Sequence, residues 1–142
     1  MTKKRFIISI LIAVILLGLL CVCTSKEEWN TLFSKESRQK DLNALTNIAH
    51  EIIESKNISK PSSEVLSIYR ATVNDDGTMK ISLFGKSTVN VKVILTEDFE
   101  IQSFKTQDQI IAYIFTIVFI HLVTSIAITE IGYGLFKIGK KL

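Results

Sequence analysis

The stretch IIAYIFTIVFIHLVTSIAI, residues 110–128, decides the fold. Its nineteen residues carry no formal charge, and as a helix rising ~1.5 Å per residue they extend about 28 Å, close to the hydrocarbon thickness of a bilayer. The run therefore predicts a transmembrane helix, placed at residues 109–130. Beyond it come Thr129, Glu130 and then Ile131 to Phe136. A helix carried unbroken to Phe136 would measure ~40 Å, which predicts tilt, or a turn near Gly132 and Gly134 with Glu130 and Tyr133 among the lipid headgroups. Tyr113 and Trp29 are expected at the opposite interface.

A second uncharged run lies at the other end. After Met1-Thr2-Lys3-Lys4-Arg5 the chain reads from Phe6 to Val22 without a charge, seventeen residues or about 26 Å of helix. A secretory signal begins similarly, but its apolar region is usually ~7–15 residues and ends in a small-x-small cleavage site. Cys21-Val22-Cys23 and Cys23-Thr24-Ser25 match that site imperfectly, so residues 6–24 read as an uncleaved anchor. Lipid attachment needs a small residue before the modified cysteine, whereas Leu20 precedes Cys21 and Val22 precedes Cys23. Two cysteines two positions apart cannot staple the segment that follows, so no disulfide framework is expected.

Basic residues flank both runs on their outer ends, Lys3, Lys4 and Arg5 before the first and Lys137, Lys140 and Lys141 after the second. Lysine and arginine beside short membrane-flanking ends stay in the cytoplasm. The expectation is a cytoplasmic N-terminus at residues 1–5, an interfacial and basic cytoplasmic tail at 131–142, and an extracytoplasmic domain at 25–108. From Thr24 to Asp108 eleven Lys or Arg face thirteen Asp or Glu, so the cationic bias belongs to the tails. A net charge of only +3 and 47% hydrophobic composition argue against a nucleic-acid partner and against a disordered chain. The lysine- and isoleucine-rich makeup fits a bacterial inner membrane.

Between the runs the period of hydrophobicity changes once. Leu42, Leu45, Ile48, Ala49, Ile52 and Ile53 recur at helical spacing, which predicts an amphipathic helix starting near Ser34 and ending at Ser55 to Asn57, before Pro61. Ser25-Lys26-Glu27-Glu28 resembles a capping box and predicts a short helix upstream. Past Pro61 the period becomes two. Runs 65–73, 78–84, 88–95 and 99–104, separated by turn-forming residues, predict four antiparallel strands in a meander. Met79, Ile81, Leu83, Val89, Val91, Val93, Leu95, Phe99 and Ile101 fall on one face and Lys80, Ser82, Asn90, Lys92, Glu100 and Gln102 on the other. The fold class expected is two transmembrane helices flanking a small α+β domain, one helix packed on the greasy face of the sheet. Phe84, Ile94 and Phe104 interrupt the wet face and form the candidate external contact surface.

Polar and small side chains in the spans form the other candidate site. At ~100° per residue His121, Ser125, Thr129 and Gly132 share a face of the second helix, and Ser9, Ala13 and Cys21 share one of the first. Such groups in lipid hydrogen-bond across helices, each at about 0.6 kcal/mol, so Ser9, Ala13, His121, Ser125, Thr129 and Gly132 are the expected contact set within the hairpin or with a partner. An intramembrane His also invites a proton relay, but no second deep titratable group stands ready to pass the proton on. Glu130 falls on roughly the opposite face, which favours the headgroup layer or a partner subunit.

No catalytic residue, metal ligand or cofactor site is expected. His50-Glu51-Ile52-Ile53-Glu54 has the first half of the metalloprotease helix His-Glu-x-x-His but lacks the second histidine. Gly85-Lys86-Ser87 has the end of a phosphate-binding loop without its first glycine, position 80 being Lys. Asn74-Asp75-Asp76-Gly77 lacks the later ligands of a calcium loop. Asn57-Ile58-Ser59 fits a glycosylation sequon, a pattern short enough to arise by chance. The expected role is a non-enzymatic, membrane-anchored accessory or assembly subunit in contact with lipid and with a membrane-protein partner or a second copy. The alternatives are an extracytoplasmic sensor of a small ligand or envelope signal, and a small subunit of a transport complex.

Overall fold

A computed structural model of the chain describes residues 1–141. Four helices and a four-stranded open sheet follow in the order α1 (Lys3–Cys23), α2 (Lys26–Phe33), α3 (Lys35–Ser55), β1 (Leu66–Val73), β2 (Met79–Gly85), β3 (Val89–Leu95), β4 (Ile101–Asp108) and α4 (Ile110–Gly139). The chain divides into two compact units, Met1–Lys26 with the segment from Ile111 onward, and Glu27–Ile110.

The first unit consists of the two apolar helices. Both are long and apolar enough to cross a membrane. Thr2 caps α1 by accepting from the Arg5 N–H. α4 runs through Gly132 and Gly134 without a break, so the turn expected at the glycines is absent and the helix spans 30 residues, about 45 Å. Glycine in a helix interior costs only about 1 kcal/mol relative to alanine, too little to break a helix with this much apolar sequence on both sides.

In the second unit α3 begins where its sequence predicts. Ser34 accepts from the Ser37 N–H at 3.2 Å, Glu36 sits in the positive first turn, and Lys56 closes the helix in the left-handed region at φ 53°. The strands pair in sequence order, each antiparallel to the next. Leu45, Ile48, Ala49 and Ile52 of α3 cover the sheet face that carries Met79, Ile81, Leu83, Val89, Val91, Val93 and Leu95, all of them buried. Full burial of each such side chain is worth about 1.5–3 kcal/mol, which makes this contact the main source of the unit's stability. Gly85 lets α3 come close, since a Cβ there would lie 3.2 Å from Leu45 Cδ1 and 2.9 Å from Val89 Cγ2.

Two hairpins use the same turn with different chemistry. In each, the residue three positions on donates back to the first, Gly77 to Asn74 and Phe99 to Thr96, both at 3.0 Å, and then adopts a left-handed conformation. Gly77 does so freely at φ 81°, whereas Phe99 at φ 62° carries a bulky side chain where few are found. Packing of the Phe99 ring against the core holds it there. Phe99 therefore belongs to the turn, and β4 begins two residues later than the alternation predicts.

β4 also corrects the face assignment of Phe104. Ile94 pairs with Ser103 but Leu95 pairs with Ile101, so one extra residue of β4 bulges out and every later residue changes side. Phe104 lies opposite Val93 on the helix-covered face, packed against the core, and does not share a face with Phe84 and Ile94. Its ring stacks on His50 of α3 at 5.2 Å. Tyr69 packs on the same face and donates to the Ile58 carbonyl at 2.6 Å, while burial pushes its phenol pKa up.

A clasp joins the two ends of this unit. Arg38 is 8% exposed, and its Nε donates to both carboxylate oxygens of Asp108, at 3.1 and 2.9 Å, while Nη1 donates to the Leu32 carbonyl at 3.0 Å. Asp108 Oδ1 in turn accepts from the Ile110 N–H at 3.1 Å. One guanidinium thus ties the end of α2, the start of α3 and the end of β4. Asp108→Ala would strand the buried cation. With the Asp108 side chain 38% exposed, the expected loss is about 1–3 kcal/mol rather than the larger value for a fully buried pair, checked by thermal unfolding of the detergent-solubilised protein.

Asn90 is fully buried on the opposite sheet face, and neither atom of its amide has a hydrogen-bond partner. An unsatisfied buried polar group costs about 1–3 kcal/mol. Asn90→Val is therefore expected to raise the unfolding temperature of the full chain, and a lowered temperature would show that the amide is satisfied in solution.

Candidate contact sites

Arg5, Ser9 and Ala13 lie one turn apart on α1, and Ser125, Thr129 and Tyr133 one turn apart on α4. The spacing gives each helix a narrow stripe of small or polar side chains in an otherwise apolar surface. Ser9 and Ser125 are fully buried, Thr129 and Ala13 nearly so. The Ser9 and Thr129 hydroxyls are 3.0 Å apart. Thr129 Oγ1 donates its proton to the Ser125 carbonyl at 2.8 Å, so the proton shared between the helices is that of Ser9, which also lies 3.0 Å from the Arg5 carbonyl.

One turn from this hydroxyl pair, Arg5 Nη1 donates to Glu130 Oε2 at 3.1 Å, and the same guanidinium lies 4.4 Å from the centre of the Tyr133 ring. Glu130, expected in the headgroup layer or against a partner subunit, is thus paired within the chain. Its side chain is 43% exposed and that of Arg5 35%, so in water the pair is worth at most about 1 kcal/mol. The cation–π contact adds a similar amount.

Of the six residues expected at a helix contact, four are buried in this unit: Ser9, Ala13, Ser125 and Thr129. Only Thr129 of the α4 stripe hydrogen-bonds to the other helix. Ser125 Oγ donates to the Leu122 carbonyl at 2.7 Å. His121 Nδ1 lies 2.7 Å from the Ile117 carbonyl, so Nδ1 donates within its own helix when it carries the proton. Gly132 lines a groove of about 570 Å³ with Lys4, Ile8, Ile12, Ile128, Thr129, Tyr133 and Phe136. Arg5 and Tyr133 were absent from the expected contact set, although Arg5 lies one turn before Ser9, the signal that places it on the same stripe.

On the second unit, Phe84 and Ile94 stand half-buried on the face away from α3. Among the described residues no group of three or more His, Cys, Asp or Glu is placed to hold a metal ion. His50 and Glu54 are both exposed, and Cys21 and Cys23 are exposed thiols. Ser87 donates to Asp41, a tie between α3 and the turn before β3. In the first unit the arrangement joins helix to helix through Ser9 and Thr129 and through Arg5 and Glu130.

Comparison with protein-family models, characterised proteins and solved structures finds no match to this chain.

Thr129→Val keeps the volume of the side chain and removes the interhelical acceptor. The expected loss is about 0.6 kcal/mol, and if hydroxyl pair and ion pair form one seam, combining it with Arg5→Met should cost less than the sum of the two single effects, because either change alone already loses their mutual support. A double-mutant cycle on unfolding in detergent reads this, and strict additivity would make the two contacts independent.

Proposed function

We propose that the chain is a non-enzymatic accessory or assembly subunit anchored in a membrane by α1 and α4, with the unit Glu27–Ile110 outside the cytoplasm binding a protein partner. The observation that carries the reading is the exposed apolar surface of both helices. Side chains such as Leu11, Val14 and Ile15 of α1 and Phe115, Phe119 and Ile131 of α4 are more than half exposed, and lipid or another protein covers what water does not solvate well.

Orientation follows from the basic ends. Lys3, Lys4 and Arg5 precede the apolar part of α1, and Lys137, Lys140 and Lys141 lie at the end of α4, so the proposed topology puts both in the cytoplasm, in a bacterial inner membrane. The seam of Arg5, Ser9, Thr129 and Glu130 favours a hairpin that docks as one piece, and the exposed remainder of each helix offers surface to a larger membrane complex or a second copy. His121, bonded to its own helix, gives a transport pathway little to work with.

The test has two arms. A reporter fused behind Leu142 is expected to be active only on the cytoplasmic side, and the protein should stay with membranes through alkaline extraction. Purification in mild detergent should then return a stoichiometric membrane-protein partner or a homo-oligomer. A chain that stays in solution without detergent, or a C-terminal reporter on the far side, would overturn the proposal.

A further inference from the structure

The face of the sheet turned away from α3 concentrates cations that the sequence scatters. Register places Arg70, Ser82, Lys92 and Lys105 side by side across the four strands, with Lys80 one row away beside Ile94. Arg70, Lys80 and Lys105 are exposed and Lys92 is half-buried. No acidic residue occupies a strand position on this face. Among the described residues, none of these four cations forms a salt bridge.

The segregation runs against the composition of the unit. From Glu27 to Ile110 there are ten Lys or Arg and thirteen Asp or Glu, an excess of three acids. Four of the ten cations stand together on one face, while the acids lie on α2, α3, the turns and the ends of the strands. Lys92 and Lys105 are direct cross-strand partners, and like charges in that position repel. An opposing anion relieves that repulsion. Phe84 and Ile94 set apolar side chains among the cations, and Ser82 and Asn90 lie low between the longer side chains. This mixture of apolar, amide, hydroxyl and charged groups resembles a protein interface, whereas a headgroup layer calls only for protruding cations.

We infer that this face binds an acidic segment of a protein partner, with Arg70, Lys80, Lys92 and Lys105 meeting its carboxylates and Phe84 and Ile94 its apolar side chains. The inference rests on the accessory-subunit reading, for which it names the surface and the chemistry of the partner. Steering by such a face makes association fast and strongly dependent on salt.

The experiment uses the full chain in nanodiscs of neutral phosphatidylcholine and a fluorescent twelve-residue glutamate peptide, followed by anisotropy. The peptide should bind at low salt and weaken steeply as salt rises. Replacing Arg70, Lys80, Lys92 and Lys105 together by Ser should weaken it by about tenfold or more, a loss of about 1.4 kcal/mol. A control variant replacing Lys35, Lys40, Lys60 and Lys86 by Ser, with the same net charge, should bind as the parent does. Circular-dichroism melting confirms that both variants are folded. The same face variant should lose the native partner from the detergent-solubilised complex.

No peptide binding, equal weakening in both variants, or a native partner retained by the face variant would overturn the inference. A domain whose face variant loses affinity for phosphatidylglycerol nanodiscs but not for the peptide would assign the face to lipid instead. A chain that proves soluble without detergent but still binds the peptide through these four residues would sink the membrane reading and leave the face standing.

Discussion

The outward side chains of α1 and α4 are apolar almost from end to end, and the need to keep that surface from water constrains everything else in the chain. Placed in lipid, the exposed apolar side chains are satisfied as they stand, while the polar groups of the seam still need partners. The seam meets that need economically. Ser9 and Thr129 share a proton across the helices, Ser125 and His121 turn back to their own backbone, and Arg5 and Glu130 neutralise each other one turn away. Each link is worth about 1 kcal/mol or less, so the seam sets which faces of the helices meet more than it sets how tightly they hold.

The unit Glu27–Ile110 faces the opposite problem. It has one helix to cover one face of a sheet, no disulfide among the described residues, and a core of about a dozen side chains. Small units of this kind lean on every contact. The Arg38–Asp108 clasp is one such contact, and it fastens the point where α2 passes into α3 to the point where β4 passes into α4. The unit thus has its entry and exit tied by the same guanidinium. Strain at Phe99 and an unbonded amide at Asn90 are tolerated because the α3–sheet contact outweighs them.

Much of this was legible from residue order. Helix α3, starting near Ser34, follows from apolar residues three and four apart. The four strands follow from alternation, and the short helix α2 from a capping pattern at Ser25. Those features depend on neighbours within a few positions, where spacing alone fixes which side chains share a face. The polar stripes of α1 and α4 were legible for the same reason, and four of their members are buried. Arg5 and Glu130 were not matched, because nothing in either helix alone says how the other is rotated against it.

The sequence by itself determined the two long apolar runs, the amphipathic helix between them and the sheet face that α3 covers, since each is a local periodicity of side-chain polarity. Tertiary structure alone decided the side on which Phe104 lies, because a single bulge in β4 reverses every later residue. It also decided that Arg70, Lys80, Lys92 and Lys105 stand together. These residues lie ten or more positions apart along the chain, and only the hydrogen-bonded register of four strands sets them in neighbouring rows.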